Sequence, residues 1–136
     1  MDKLLEKLRH DFPDLRFRQS RKFAFRPPRT ILIGPDEPKK ELVLLHEVSH
    51  AILKHRDFGT DIERLKMESA AWEKAQELAE RYGVEIDEEF IQDELDTYRD
   101  WLHKKSRCPE CGLTRFQTPD GQYHCPRCNE FLANKK

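Results

Sequence analysis

"PKKELVLLHEVSHAILKH", residues 38–55, decides how this chain is read. Wound as a helix, the run is apolar on most of its faces, so most of it is expected to be buried. Residues 46–50 inside it read His-Glu-Val-Ser-His. The two histidines stand at i and i+4, so both imidazoles leave one face, one turn apart. Burying two His and a Glu in so apolar a helix is costly unless something satisfies them. A zinc ion would do so, because two imidazole nitrogens on one face can each reach it at about 2.0–2.1 Å. Glu47, beside the first of them, is placed to take a proton from a water at such a metal without being a ligand itself. His46 and His50 are therefore candidate ligands, and Glu47 is the candidate general base.

A catalytic zinc needs a third protein ligand and one open position. The stretch downstream offers the ligand. "TDIE" at 60–63 has the form of a capping box, with Thr60 capping and Glu63 reaching back. Gly83 stands where a C′ glycine would, so a helix is predicted from 60 to about 82. At about 100° per residue, Leu65, Ala71, Trp72, Ala75, Ala79 and Tyr82 all fall within roughly 60° of Glu68. Glu63, Glu73, Glu77 and Glu80 fall on the solvent side. Past the first turn, Glu68 alone puts a carboxylate into the apolar stripe, where it needs a partner. A metal is the obvious one; a salt bridge to Arg64 or to a basic residue of the first strand is the alternative. Asp61 shares the angle of Glu68, but an acidic residue at a helix start is accounted for by the helix dipole.

Upstream, residues 2–10 set Leu4, Leu5 and Leu8 among charges and read as a short amphipathic helix ended by Pro13. Residues 15–26 mix aromatic and basic residues as one or two strands, and "RTILIG" (29–34) is a β-branched strand stopped by Gly34-Pro35. Residues 86–105 form a third long helix with Phe90, Leu95, Tyr98, Trp101 and Leu102 on its apolar side. The fold class is thus α+β, and the composition changes abruptly after Ser106.

That change introduces all four cysteines, as Cys108-x-x-Cys111 and Cys125-x-x-Cys128. Each pair is a tight knuckle that can place two thiolates on one tetrahedral ion, so residues 106–136 read as a zinc ribbon with a structural, closed site. "TPDGQ" is a turn, so "LTRFQT" and "QYHC" are expected to pair as a hairpin. Gly112 and Asn129, each following the second Cys of a knuckle, are candidates for positive φ. Paired cysteines with metal spacing suggest a reducing cytoplasm rather than a disulfide framework.

Charged residues make up 38% of the 136, with a net charge of -1. The sign is regional: residues 1–36 carry nine Lys/Arg against five Asp/Glu, 37–103 nine against eighteen, and 104–136 seven against three. No run is long and apolar enough to cross a membrane, and the first dozen residues lack the apolar core of a secretory signal. Residues 16–29 interleave Arg and Lys with Phe17, Phe23 and Phe25. That pattern suits a nucleic-acid face, and equally an ordinary strand with Phe inward and Arg outward. The ribbon, with Lys104, Lys105, Arg107, Arg115, Arg127, Lys135 and Lys136, is a second candidate for nucleic acid. Phe116 and Tyr123 in it could stack on bases or form the core of the hairpin.

"LLHEVSHAILKH" followed by "MESAAWEKAQELA" resembles the gluzincin-type metallopeptidases, in particular the minigluzincins and the ImmA/IrrE-like peptidases. The resemblance spans about residues 29–82 and implies a zincin-like core over residues 1–105, a short antiparallel sheet packed on an active-site helix and a glutamate helix. It implies His46, His50 and Glu68 as ligands of a catalytic zinc and Glu47 as general base; the structural zinc on Cys108, Cys111, Cys125 and Cys128 rests on their spacing instead. The expected activity is hydrolysis of a protein or peptide substrate lying along "RTILIG" as an added strand. Tyr82, Arg64 and His55 are candidate donors to the oxyanion. SprT-like proteases, which act on DNA-bound proteins, also pair His-Glu-x-x-His with a C-terminal ribbon, but their third ligand is a His in a His-Gly pair that this chain lacks. A peptidase kept latent by its C-terminal region and a non-catalytic module binding nucleic acid or protein are the remaining expectations.

Overall fold

The computed structural model describes residues 1–56 and 59–128. Asn129, Lys135 and Lys136, named above, lie outside them. Helix α1 (Asp2–Asp11) leads into strands β1 (Arg16–Gln19), β2 (Ala24–Arg26) and β3 (Thr30–Ile33). Helices α2 (Lys40–Ile52), α3 (Asp61–Tyr82) and α4 (Glu88–Ser106) follow, and then the short strands β4 (Phe116–Gln117) and β5 (Tyr123–His124).

The first sheet has the order β1-β3-β2. It is mixed, not antiparallel as expected: β3 pairs parallel with β1 and antiparallel with β2. The sequence of β3 explains its place. Ile31, Leu32 and Ile33 are all buried, and a strand apolar on both faces belongs in the middle, where both its edges are paired. The arginine-bearing β1 and β2 take the edges, where charged side chains remain in water. A further expectation falls with this order. "RTILIG" has no free edge, so no peptide can add to it.

Side chains alternate along each strand, and paired residues share a face. Phe17, Ile31 and Phe25 therefore stand on one side of the sheet, and α2 packs against β2 and β3. Leu42, Leu44, Leu45, Val48 and Ala51 of α2 are buried, as is Ser49, whose hydroxyl donates to the Leu45 carbonyl at 2.7 Å. The buried face of α3 is Ala71, Trp72, Ala75, Leu78 and Ala79, close to the predicted stripe. Gly83 follows with φ +71°, and the Val84 amide donates to the Ala79 carbonyl, which closes the helix end. At the other end Thr60 Oγ1 caps the Glu63 amide, while Glu63 itself reaches the amide of Gly59.

Packing divides the chain into two compact units. One is Met1–Arg56 with Met67–Glu88; the other comprises the described residues of 57–66 and 89–136. In the second, Asp61 is only 5% exposed. It accepts from Tyr123 Oη at 2.6 Å and pairs with Lys105 at 2.9 Å, and its amide donates to Gln117 Oε1. Arg64 lies over the rings of Tyr98 and Trp101, and Lys105 over Trp101 and Tyr123. The expected hairpin is present as β4 and β5, with Phe116 opposite His124 and Gln117 opposite Tyr123.

Candidate metal centres

His46 and His50 project from α2 one turn apart, as the spacing requires, and α3 presents Glu68 to them. His46 Nε2 lies 2.9 Å and His50 Nε2 3.3 Å from Glu68 Oε2. All three side chains are 13% exposed or less. One ligand atom from each can be chosen so that all lie within 4.8 Å of one another, a group able to hold a metal ion. Ligand atoms about 2.1 Å from a tetrahedral ion are about 3.4 Å apart; His50 Nε2 stands at about this distance from Glu68 Oε2 and His46 Nε2 somewhat closer.

The rings are held by stacking. Trp72 lies flat on His46, with centroids 4.1 Å apart and planes 5° apart. Phe25 of β2 is parallel to His50 at 6.3 Å. The Phe25 contact lies within the range of offset-stacked aromatic pairs, and the Trp72 contact is slightly closer. Trp72 was legible as part of the stripe around Glu68. The role of Phe25 was not: the sequence offered an inward-facing Phe as one of two readings, and only the register and the contact with His50 give it a place beside the site.

Burial works against a proton on His46, but the Glu47 and Glu68 carboxylates outweigh it and push His46 up to about 9. Burial likewise pushes Glu68 up, and its bonds to His46 and His50 hold it nevertheless at about 2. In the metal-free protein the group is thus an ion pair. Glu47 is also turned inward, with Oε1 3.3 Å from His46 Nδ1.

The other named residues lie as follows. His55 places Nδ1 2.9 Å from His50 Nδ1. That is the nitrogen facing away from Glu68, so His55 supports the back of His50. Tyr82 donates to Asp11 at 2.5 Å and stands fourteen residues beyond Glu68, about 21 Å along the helix. Arg64 belongs to the other unit and lies on Tyr98 and Trp101.

The second centre brings all four cysteines together as free thiols. Cys108 and Cys128 Sγ are 3.8 Å apart, and Cys111 and Cys125 Sγ 3.4 Å. Four thiolates at about 2.3 Å from a tetrahedral ion are separated by about 3.8 Å, so the cluster fits such an ion. Gly112 turns the first knuckle with φ +77°, as its position predicted. The Cys128 amide points at Cys125 Sγ at 3.4 Å, and this bond is the main reason the Cys125 thiol drops to about 7. His124 contacts Phe116 and Thr118 and is not among the four.

No known family model, curated protein or solved structure matches the chain. Among the described residues, no helix is long and apolar enough to cross a membrane.

Proposed function

We propose that the chain is a zinc-dependent peptidase of gluzincin type, with His46, His50 and Glu68 as ligands of the catalytic zinc and a second, structural zinc on the four cysteines. The observation that carries this reading is the convergence of two imidazoles and one carboxylate, nearly buried, with Glu47 beside them. Three ligands leave a position open, whereas four thiolates close theirs. The contact with Glu68 also favours this reading over an SprT-like one, because among the described residues the group that could hold a metal joins His46 and His50 to Glu68 and to no third histidine.

Zinc at this site supplies Lewis acidity toward a peptide carbonyl and acidifies water. The remaining work belongs to the chain. Glu47, whose carboxylate stands at His46 Nδ1, would turn toward the Nε2 side to take the proton of the attacking water and return it to the leaving amine. His55 fixes the orientation of His50 through Nδ1, as a partner behind a metal-bound histidine does. Trp72 and Phe25 hold the two imidazole planes and keep water from their faces. The substrate extends along the outer edge of β2. This strand is at the sheet margin, carries the Phe25 that stacks on His50, and offers main-chain hydrogen bonds over Ala24–Arg26.

Glu47→Gln tests the scheme. The variant is expected to keep two zinc ions per chain and to lose cleavage of a mixed library of unstructured peptides, read by mass spectrometry. A drop of at least 10²-fold is expected, typical of losing a general base. Undiminished cleavage in Glu47→Gln would refute the assignment.

A further inference from the structure

The sheet face opposite α2 has no role in that chemistry, and its composition is unusual. The register places Arg16, Thr30 and Arg26 in one row across the three strands, and Arg18, Leu32 and Ala24 in the next. These residues share the face that Phe17, Ile31 and Phe25 do not occupy. Arg16, Arg18 and Arg26 are exposed there, and Arg21, Lys22 and Arg29 are exposed in the adjoining turns. Among the described residues none of these six cations is in an ion pair. The chain has eighteen acidic groups in residues 37–103 alone, yet among the described residues none forms an ion pair with this face.

From the row of unpaired arginines we infer that the outer face of the first sheet binds the phosphate backbone of a nucleic-acid duplex, without reading its sequence. Strands spaced about 4.8 Å apart set the backbones of Arg16 and Arg26 about 10 Å from each other. Two flexible guanidinium groups that far apart can take phosphates on both sides of a groove about 12 Å wide. Five of the six cations are arginine, whose planar fork accepts phosphate oxygens two at a time.

The alternatives fit less well. Single strands are held by stacking bases on aromatic rings, but Phe17 and Phe25 are on the other face. A membrane surface calls for exposed apolar side chains beside the cations. Among the described residues the exposed large apolar ones are Leu53, Ile62, Leu113 and Phe116, none of them in this sheet. A flexible acidic peptide would have to be ordered to match cations fixed on a sheet, and that ordering costs affinity. The inference does not depend on the peptidase reading, since it uses none of the metal-binding side chains.

The test is fluorescence anisotropy of a labelled duplex DNA of arbitrary sequence against the full, zinc-loaded chain between roughly 50 and 200 mM salt. Binding that falls steeply with salt is expected. Replacing Arg16, Arg18 and Arg26 together by Ala should weaken it at least tenfold at the low-salt end and flatten the log–log salt slope by about 2.7, about 0.9 for each phosphate left without its arginine. Replacing the same three by Lys should preserve most of the slope, because each ammonium still neutralises one phosphate, and so separates the effect of charge from that of folding. Glu47→Gln should bind as the parent does. The inference is overturned if the parent shows no binding at low salt, or if the Ala variant keeps the parent slope. It is equally overturned if the Lys variant loses as much as the Ala variant. Stronger binding to anionic vesicles than to the duplex, or equal competition by polyglutamate at matched charge, would overturn it as well.

Discussion

Glu68→Ala separates the metal reading from every other reading of residues 46–68. It removes one of three converging donors and leaves the two imidazoles of α2 in place. Structural zinc sites of four ligands bind with about 10–16 kcal/mol, so one ligand carries about 2.5–4 kcal/mol. Losing it should weaken zinc binding by about 10²–10³. The metal-free protein should suffer too. The fall of Glu68 from 4.5 to about 2 corresponds to about 3 kcal/mol of pairing with the histidines. The rise of His46 to about 9 is the same pairing seen from the other partner, so the two are not added. A depressed carboxyl contributes stability that is full above 4.5 and lost as pH falls through about 2. A raised histidine contributes stability that is full below 6.5 and lost as pH rises through about 9. The metal-free parent should therefore exceed the metal-free variant most between pH 4.5 and 6.5, and the gap should close above about 9. Native mass spectrometry counts the ions, with the ion expected on the four cysteines as internal reference; urea melts at several pH values measure the rest. Two ions in the parent and one in the variant are expected. Two ions of unchanged affinity in both would refute Glu68 as a ligand.

Zinc must displace the proton of His46, so its apparent affinity for this site should climb about tenfold per pH unit from 7 and level off near 9; chelator competition measures this, and a flat profile would contradict it. Asp61→Ala should destabilise the second unit by about 2 kcal/mol, because Tyr123 and Lys105 lose a nearly buried acceptor. Hydrogen exchange over residues 114–124 reads the change, and unaltered protection would contradict it. Burial raises the Asp61 carboxyl, but its bonds to Tyr123 and Lys105 hold it below 3.8. The parent's advantage should accordingly be full above pH 3.8 and shrink as the pH falls below it.

Local rules carried much of the fold. The i, i+4 histidines, the lone carboxylate in the α3 stripe and the two cysteine knuckles each follow from the repeat of one element, and each converges as expected. Strand pairing did not follow, because the choice between joining β2 to β1 or inserting β3 between them depends on which strand is apolar on both faces. The edge expected at "RTILIG" failed for that reason. Asp61 shows the limit of a helix-dipole explanation: the residue is at a helix start, but its partners Tyr123 and Lys105 lie more than forty residues away in sequence. Tyr82 illustrates the same limit, since the angle that aligned it with Glu68 said nothing of Asp11.

The two centres differ in the softness of their donors, and that difference sorts metals. Four thiolates favour soft ions such as Cu(I), while two imidazoles and a carboxylate also accommodate harder ones such as Mn²⁺ or Co²⁺. A chain exposed to a mixture of metals would therefore be loaded unevenly. Soft contaminants would collect at the four cysteines, and the buried group on α2 and α3 would follow the supply of divalent ions around it.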